Sequence, residues 1–476
     1  MNKIYKYKLA IYILTGLVLA AVFFIPIVFR GLEIWTDSYY YLSGGKNIAS
    51  GNGFSHGCAV PEPVTRWPPL YSLYISLFYL FNVHWYSIFE NIAIINFCAF
   101  AVVCAVLVHR LGIGVLTGGL MMILLLFHPF VLRWAASALS ESTSWIWLGL
   151  AELLVLAMVS VDSGGKRRDY ILLAAVLSIG FLTRYAFAGV IIATVAFWGL
   201  RYLQQPGKAK LKNAVIFCTV TMLICGAWLV RNYYMAGSAA ESDGSDTRLF
   251  RNLYYGVMNL WDIFMLFRPG NMYLSLLIFF LIPLFCYRAY INSKKADALS
   301  GFITFNYLLI VLYTATIILL RTTSAAITLD SRMFSLLVFP FVFVLPDINI
   351  KWLRISVLFV LIILSATRYK EVLRADTVYE KVHSYEVYKK AVGLSGSHKI
   401  YTFDPVVFLL DAKLCIDDEV FKLDEQLLNR ELAENEVIVV FYNTYKFKRY
   451  KGVYEELLRK NTYRKELFGD GVIFYP

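Results

Sequence analysis

Apolar runs long enough to cross a bilayer recur along the chain and predict about eleven membrane spans. They fall near 9–29, 85–108, 113–128, 142–161, 170–184, 185–201, 212–230, 271–288, 301–320, 333–347 and 353–367. The two runs meeting at Thr183-Arg184-Tyr185 read equally well as one broken helix. The first run follows Lys3, Lys6 and Lys8 and lacks a small-residue cleavage site, which marks a retained anchor rather than a signal peptide. After residue 367 the period changes. Helices are predicted near 371–393, 422–433 and 450–460, and strands at Ile400–Phe403, Val437–Tyr442 and 472–475. The expected architecture is a polytopic α-helical membrane domain, 1–367, followed by a small soluble α/β domain, 368–476. Within the first domain, 31–84 form a long outer loop.

Composition agrees: 59% of the 476 residues are hydrophobic, 16% are charged, and the mean hydropathy is +0.61. A soluble globular chain is about half apolar and about a quarter charged, so a water-soluble enzyme is excluded. The net charge of +12 lies wholly before residue 368, because the tail balances 18 basic against 18 acidic residues. With the N-terminus inside, cytoplasmic segments carry 16 basic residues and four acids, as the positive-inside rule requires. An odd span count then puts the tail outside the cytoplasm, at the cell membrane. No polybasic tract with interleaved aromatics occurs, so nucleic acid is not an expected partner. Of the seven cysteines, only Cys58 and Cys415 fall outside apolar runs, and no CxxC pair exists.

The kind of basic residue differs between the two faces. The inner segments hold ten Lys and six Arg; the outer ones, before the tail, hold Lys46 and ten Arg. Lysine suffices to set topology, whereas guanidinium forks suit bidentate contact with phosphate or carboxylate in a partly dry site. Several outer arginines sit at span ends beside Asp37, Glu141 and Asp330, and are expected to share one layer. Snorkelling anchors and local ion pairs are the other reading. Glu152, about three turns into its span from Glu141, is either a structural hydrogen-bonding group or a substrate contact.

The first outer loop contains Asp37, Tyr41, Gly51-Asn52-Gly53-Phe54 and Pro68-Pro69-Leu70-Tyr71, with an apolar helix expected after the prolines. This run resembles the first lumenal loop of the GT-C membrane glycosyltransferases. The nearest group within them is that of the dolichyl-phosphate-mannose–protein mannosyltransferases and the lipid A aminoarabinose transferase. Three further segments match in order: Ser140-Glu141, Trp228-Leu229-Val230-Arg231-Asn232-Tyr233 followed by Gly237, and Asp330-Ser331-Arg332-Met333. Met333 stands where the family usually has an aromatic residue. Ser38 follows Asp37 where many protein mannosyltransferases have Glu, which favours the bacterial-type envelope enzymes. The resemblance covers roughly 1–350.

The resemblance implies a polyprenyl-phosphate-linked sugar donor and a glycan, lipid or protein acceptor. Transfer would occur outside the cytoplasm with inversion at the anomeric carbon. By match to the family, Asp37 is the candidate general base. Arg184, Arg231 and Arg332 are candidates to bind the departing phosphate, with Glu141, Tyr185, Asn232 and Asp330 as further substrate-binding candidates. Some relatives hold a divalent metal near the loop carboxylates, for which Asp37, His56 and Glu141 are available; no ligand spacing demands one, and the metal stays unassigned. A transporter or flippase of a lipid-linked or anionic substrate is the alternative. Such proteins place ionisable groups near the bilayer midplane, whereas only Glu152 lies deep here.

Overall fold

The computed structural model describes the chain apart from residues 1–2, 57–61, 162–164, 238–247, 266–271, 296, 324–328, 330, 374–384, 395–396, 403–419, 423–430, 443–450 and 460–462. It divides into two compact units. The first comprises Met1–Val28, Thr65–Tyr71 and Asn91–Arg374; the second comprises Phe29–Val64, Ser72–Glu90 and Ala375–Pro476. The 367/368 division expected from charge falls inside the helix Lys351–Leu373.

The first unit is helical. Among the described residues, seven helices are long and apolar enough to cross a membrane: Tyr7–Val28, Trp85–Arg110, Glu141–Val159, Tyr185–Gln204, Lys210–Ala236, Ala298–Thr323 and Lys351–Tyr369. The pair Val115–Phe127 and Pro129–Ala135, bent by 46°, makes an eighth if it is one span. The chain is thus a multi-pass membrane protein, and among the described residues fewer helices qualify as spans than the eleven apolar runs. The difference has local causes. The run at 170–184 becomes a 17-residue helix, Arg167–Thr183, which opens on three charged residues and stops where Arg184 turns extended. The run at 333–347 breaks into Ser331–Phe334, Ser335–Leu337, Val338–Val344 and Leu345–Asp347, the second and fourth being 3-10 turns. Pro340 and Pro346 each remove a backbone donor from that stretch. The run at 271–288 lies on the helix Met272–Ser293.

Small residues let these helices approach closely. A Cβ on Gly189 would meet the ring and backbone of Tyr313, and one on Gly149 would run into Val103. Around these contacts Phe97, Phe100, Trp145, Tyr170, Phe187, Phe197 and Tyr313 are buried. Met222, Leu223 and Val230 of the helix Lys208–Ala236 remain exposed, as lipid-facing positions would. The first span carries one π-turn, Ala20–Phe24, in which the Ile25 N–H donates to the Ala20 carbonyl. Pro26 follows and has no N–H to return to the preceding turn, a usual setting for such a bulge.

In the second unit the outer loop is more ordered than its polar composition predicts. Thr36–Ala49 is a helix that begins where the Trp35 N–H donates to Ser38 Oγ (2.9 Å). Asn47 Nδ2 donates to the Ser55 carbonyl (3.0 Å), beside the antiparallel strands β1 (Ser55–His56) and β2 (Glu62–Pro63). The apolar helix expected after Pro68-Pro69 spans Leu70–Tyr79, of which Ser72–Tyr79 belongs to this unit.

The tail carries β3 (Lys399–Thr402), β4 (Val420–Lys422), β5 (Glu436–Phe441), β6 (Arg464–Phe468) and β7 (Gly471–Tyr475). They form one sheet in the order β4-β3-β5-β7-β6. β3 runs parallel to both β4 and β5, whereas β7 is antiparallel to both of its neighbours. Leu457 of the helix Lys451–Arg459 packs with Ile438, Val440, Val472 and Phe474. The helix Glu386–Leu394 packs on β5 and β7, and Asp470 caps its start by accepting from the Glu386 (2.7 Å) and Val387 (3.2 Å) amides. β4 and β6 are additions to the strands expected from sequence. The helix expected near 422–433 falls largely outside the described residues.

Candidate active site

Three elements far apart in sequence converge in the first unit. The helix Glu141–Val159 starts at Glu141, where the positive end of the helix dipole favours a carboxylate. Its first turn is tied to the helix Trp85–Arg110 by Asn96 Nδ2, which donates to Ser142 Oγ (3.0 Å) and Thr143 Oγ1 (2.8 Å). The second element is the break after Thr183. The Arg184 amide makes the last helical bond, to the Gly180 carbonyl (2.8 Å), but its backbone is extended (φ −158°, ψ 122°), and the chain restarts as the turn Tyr185–Phe187. Gly180 is required there, because a Cβ would collide with the Phe187 ring. The third element is the short helix Ser331–Phe334. It is fixed by Tyr313, whose hydroxyl donates to the Met333 carbonyl (2.7 Å), and by Ser335 Oγ, which donates to the Arg332 carbonyl (2.7 Å).

These elements bring Glu141, Arg184 and Arg332 together. Glu141 Oε1 is ion-paired with Arg184 Nη1 and lies 3.5 Å from Arg332 Nε. The three side chains are only 2%, 9% and 13% exposed, so the charges interact in a poorly screened setting. Arg184 Nη2 also donates to Met333 Sδ (3.0 Å), which gives that thioether a polar contact. Two guanidiniums offer ten N–H donors against roughly four acceptor positions on one carboxylate.

The other predicted residues of this unit form a second, adjoining group. Tyr185 Oη accepts from Trp228 Nε1 (2.9 Å) and Asn232 Nδ2 (3.0 Å) and donates to the Thr65 carbonyl (3.2 Å). Asn232 Nδ2 also donates to that carbonyl (3.2 Å). Arg231 lies over the Trp228 ring, 4.8 Å from its centroid, and its Nη1 donates to Asn232 Oδ1 (3.0 Å). Trp228, Arg231 and Asn232 stand on the last turns of the helix Lys208–Ala236, which ends at the left-handed Gly237 (φ 70°).

Asp37 belongs to the second unit, half-buried in the first turn of Thr36–Ala49. Ser38, the departure from the Asp-Glu pattern, spends its hydroxyl on capping that helix. His56 Nε2 lies 3.8 Å from Glu62 Oε2, and its ring stands edge-on to Tyr40. Among the described residues no three His, Cys, Asp or Glu side chains converge as metal ligands. Asp330, Cys58 and Cys415 lie outside the described residues. Glu152 is fully buried within its helix.

One further charged group was not singled out from sequence. Arg368 Nη1 lies 3.5 Å from Asp262 Oδ1, and its guanidinium sits over Phe130, 5.2 Å from the ring centroid. Nearby, His128, at the bend between Phe127 and Pro129, contacts the Ile263 carbonyl through Nε2 (3.1 Å). Asn252, Asn259 and Asp262 are all buried on the helix Leu249–Met265, and their spacing of seven and three marks one polar stripe. That stripe was the available signal.

No family model matches the chain, and no curated protein matches its sequence. Among solved structures it is similar to ArnT from Cupriavidus metallidurans, both in the apo state and bound to undecaprenyl phosphate. Each pair has 12% identity and a TM-score of 0.48 over 97% of both chains. It is also similar to the arabinofuranosyltransferase AftD from Mycobacteria, with 11% identity and a TM-score of 0.47 over 97% of this chain and 39% of that one.

Proposed function

We propose that this protein is an integral membrane glycosyltransferase. It moves a sugar from a polyprenyl-phosphate-linked donor to an acceptor hydroxyl on the extracytoplasmic face, with inversion. The observation that carries the reading is the convergence of Arg184 and Arg332 on the buried Glu141 within a unit of membrane-crossing helices. Paired guanidiniums in a poorly solvated place suit a lipid phosphate, which is anionic yet attached to a chain that stays in the bilayer.

In the proposed reaction Asp37 takes the proton from the acceptor hydroxyl. The acceptor oxygen bonds to the anomeric carbon as the bond from that carbon to the phosphate oxygen breaks. Charge then grows on the departing polyprenyl phosphate, where Arg184, Arg332 and Arg231 stabilise it. Fixed donors of this kind act mainly on the transition state, because the leaving phosphate carries more charge than the bound donor. Among the described residues no three His, Cys, Asp or Glu side chains form a ligand set for a divalent metal.

Two experiments test the reading. Mass spectrometry of lipid co-purifying with the protein should detect polyprenyl phosphate or its glycosylated form; transport substrates without a phosphate lipid would point to the alternative class. In lipid-reconstituted protein, Asp37→Asn should abolish sugar transfer from polyprenyl phosphate donors. Undiminished transfer would remove Asp37 as the base.

A further inference from the structure

The resemblance placed Tyr185 and Asn232 among substrate-binding groups, but hydrogen-bond counting gives them another task. A phenol has one donor and two acceptor positions. Tyr185 uses its donor on the Thr65 carbonyl and both acceptor positions on Trp228 Nε1 and Asn232 Nδ2. A carboxamide nitrogen has two donors. Asn232 uses one on the same Thr65 carbonyl and the other on Tyr185. Both lone pairs of the Thr65 carbonyl are thereby taken. The ring of contacts is closed, with Asn232 fully buried and Thr65 only 3% exposed.

We infer that Tyr185 and Asn232 are positioning residues: together they clasp the Thr65 carbonyl and so fix the segment Thr65–Tyr71 against two helix ends. The inference rests on the proposed transferase only for what the segment serves; the clasp itself stands on its geometry. Three observations give the clasp a purpose. Thr65–Tyr71 belongs to the first unit, although the chain on both sides of it, Phe29–Val64 and Ser72–Glu90, belongs to the second. The segment has no helical or strand bonds of its own before Leu70, so it needs an outside tether. It also carries Arg66, whose guanidinium rests 5.3 Å from the Trp67 ring centroid.

The clasp also couples the two arginine groups to one strap. Tyr185 follows Arg184 directly, and Asn232 follows Arg231 directly. A hydroxyl and a carboxamide that meet on one carbonyl therefore fix the chain next to both arginines at once. Arg231 is held further through Asn232 Oδ1, the one acceptor of that carboxamide. Substrate contact is left to the guanidiniums, while the neighbouring residues set the frame.

The test uses the full chain in lipid nanodiscs. Tyr185→Phe removes only the hydroxyl; Asn232→Asp keeps an acceptor for Arg231 but removes both donors. Each should raise amide hydrogen exchange in peptides covering 65–71 at least tenfold. Binding of a long-chain polyprenyl phosphate, read by native mass spectrometry, should stay within twofold of wild type. Transfer from the donor recovered with the protein should fall at least tenfold, in kcat rather than KM. Trp228→Phe, which spares both bonds to Thr65, should leave protection of 65–71 in place. The inference is overturned if Tyr185→Phe and Asn232→Asp weaken polyprenyl phosphate binding tenfold while protection of 65–71 is unchanged, because both residues would then be contacting the ligand. If the wild-type chain binds no polyprenyl phosphate, the transferase reading fails, and the exchange measurement still decides the clasp.

Discussion

Two buried carboxylates in the helical unit illustrate opposite uses of charge. Asp347 accepts from Arg288 Nε (2.7 Å) and from Tyr307 Oη (2.9 Å), and Arg288 Nη2 lies 2.6 Å from the same oxygen. One acid meets one guanidinium and one neutral phenol. Glu141 meets two guanidiniums brought from separate elements. A carboxylate met by one arginine fastens helices together; one shared between two arginines would, under the proposed function, hold cations where an anion competes for them. Burial alone does not distinguish the two, since both carboxylates are nearly inaccessible. Stoichiometry does.

This contrast can be broken most decisively at Arg184. Arg184→Ala should lower transfer by roughly a hundredfold or more, equivalent to about 3–4 kcal/mol of transition-state stabilisation. Reconstituted assays with polyprenyl-phosphate-linked donors read it directly, and a loss of only a few-fold would put Glu141 in the same structural class as Asp347. At the other carboxylate, Asp347→Ala should cost about 2 kcal/mol of stability, because Arg288 is left without its carboxylate. Thermal unfolding in detergent should show that loss, with transfer at low temperature retained.

Charge neutralisation sharpens the same comparison. Glu141→Gln should tighten polyprenyl phosphate binding about tenfold, or about 1.4 kcal/mol, because the bound anion no longer competes with a carboxylate. Asp347→Asn should leave that affinity unchanged. Smaller again is Asp297, whose Oδ1 accepts from the Ser300 amide (2.8 Å) at the start of the helix Ala298–Thr323. Burial raises its pKa, but the bonds to Ser300 and the nearby Lys295 outweigh burial and hold it below the ordinary carboxylate value. A carboxyl depressed in the folded state stabilises above its unfolded pKa of about 4 and loses that contribution as pH falls through its folded value. Asp297→Ala should therefore cost about 1 kcal/mol at neutral pH, and the difference from wild type should shrink in acid, as unfolding at the two pH values would show.

What the sequence made legible follows from which forces act locally. Glu141, Arg184 and Arg332 stood out because charges at the ends of apolar runs are conspicuous, and all three meet in space. The clasp on Thr65 was illegible, because a backbone carbonyl has no side-chain signature. In the tail, Val437–Tyr442 was readable from its β-branched run, whereas β6, Arg-Lys-Glu-Leu-Phe, was hidden by the charges that suit an edge strand. Thr36–Ala49 was read as part of the loop because the stretch is polar and holds Gly44 and Gly45, residues of low helix propensity. In the structure they are contact positions: a Cβ there would strike Phe54 at the first and Ile75 at the second. Propensity gave way to packing.

The order of strands in the tail also bears on how the protein is made. β7 is formed by residues 471–475, yet it sits between β5 and β6 rather than at the rim. Until those residues have been synthesised, β5 lacks its β7 partner and β6 has no neighbour. The sheet therefore cannot be completed as it emerges. Its half-built form exposes an unpaired strand edge until residues 471–475 are in place.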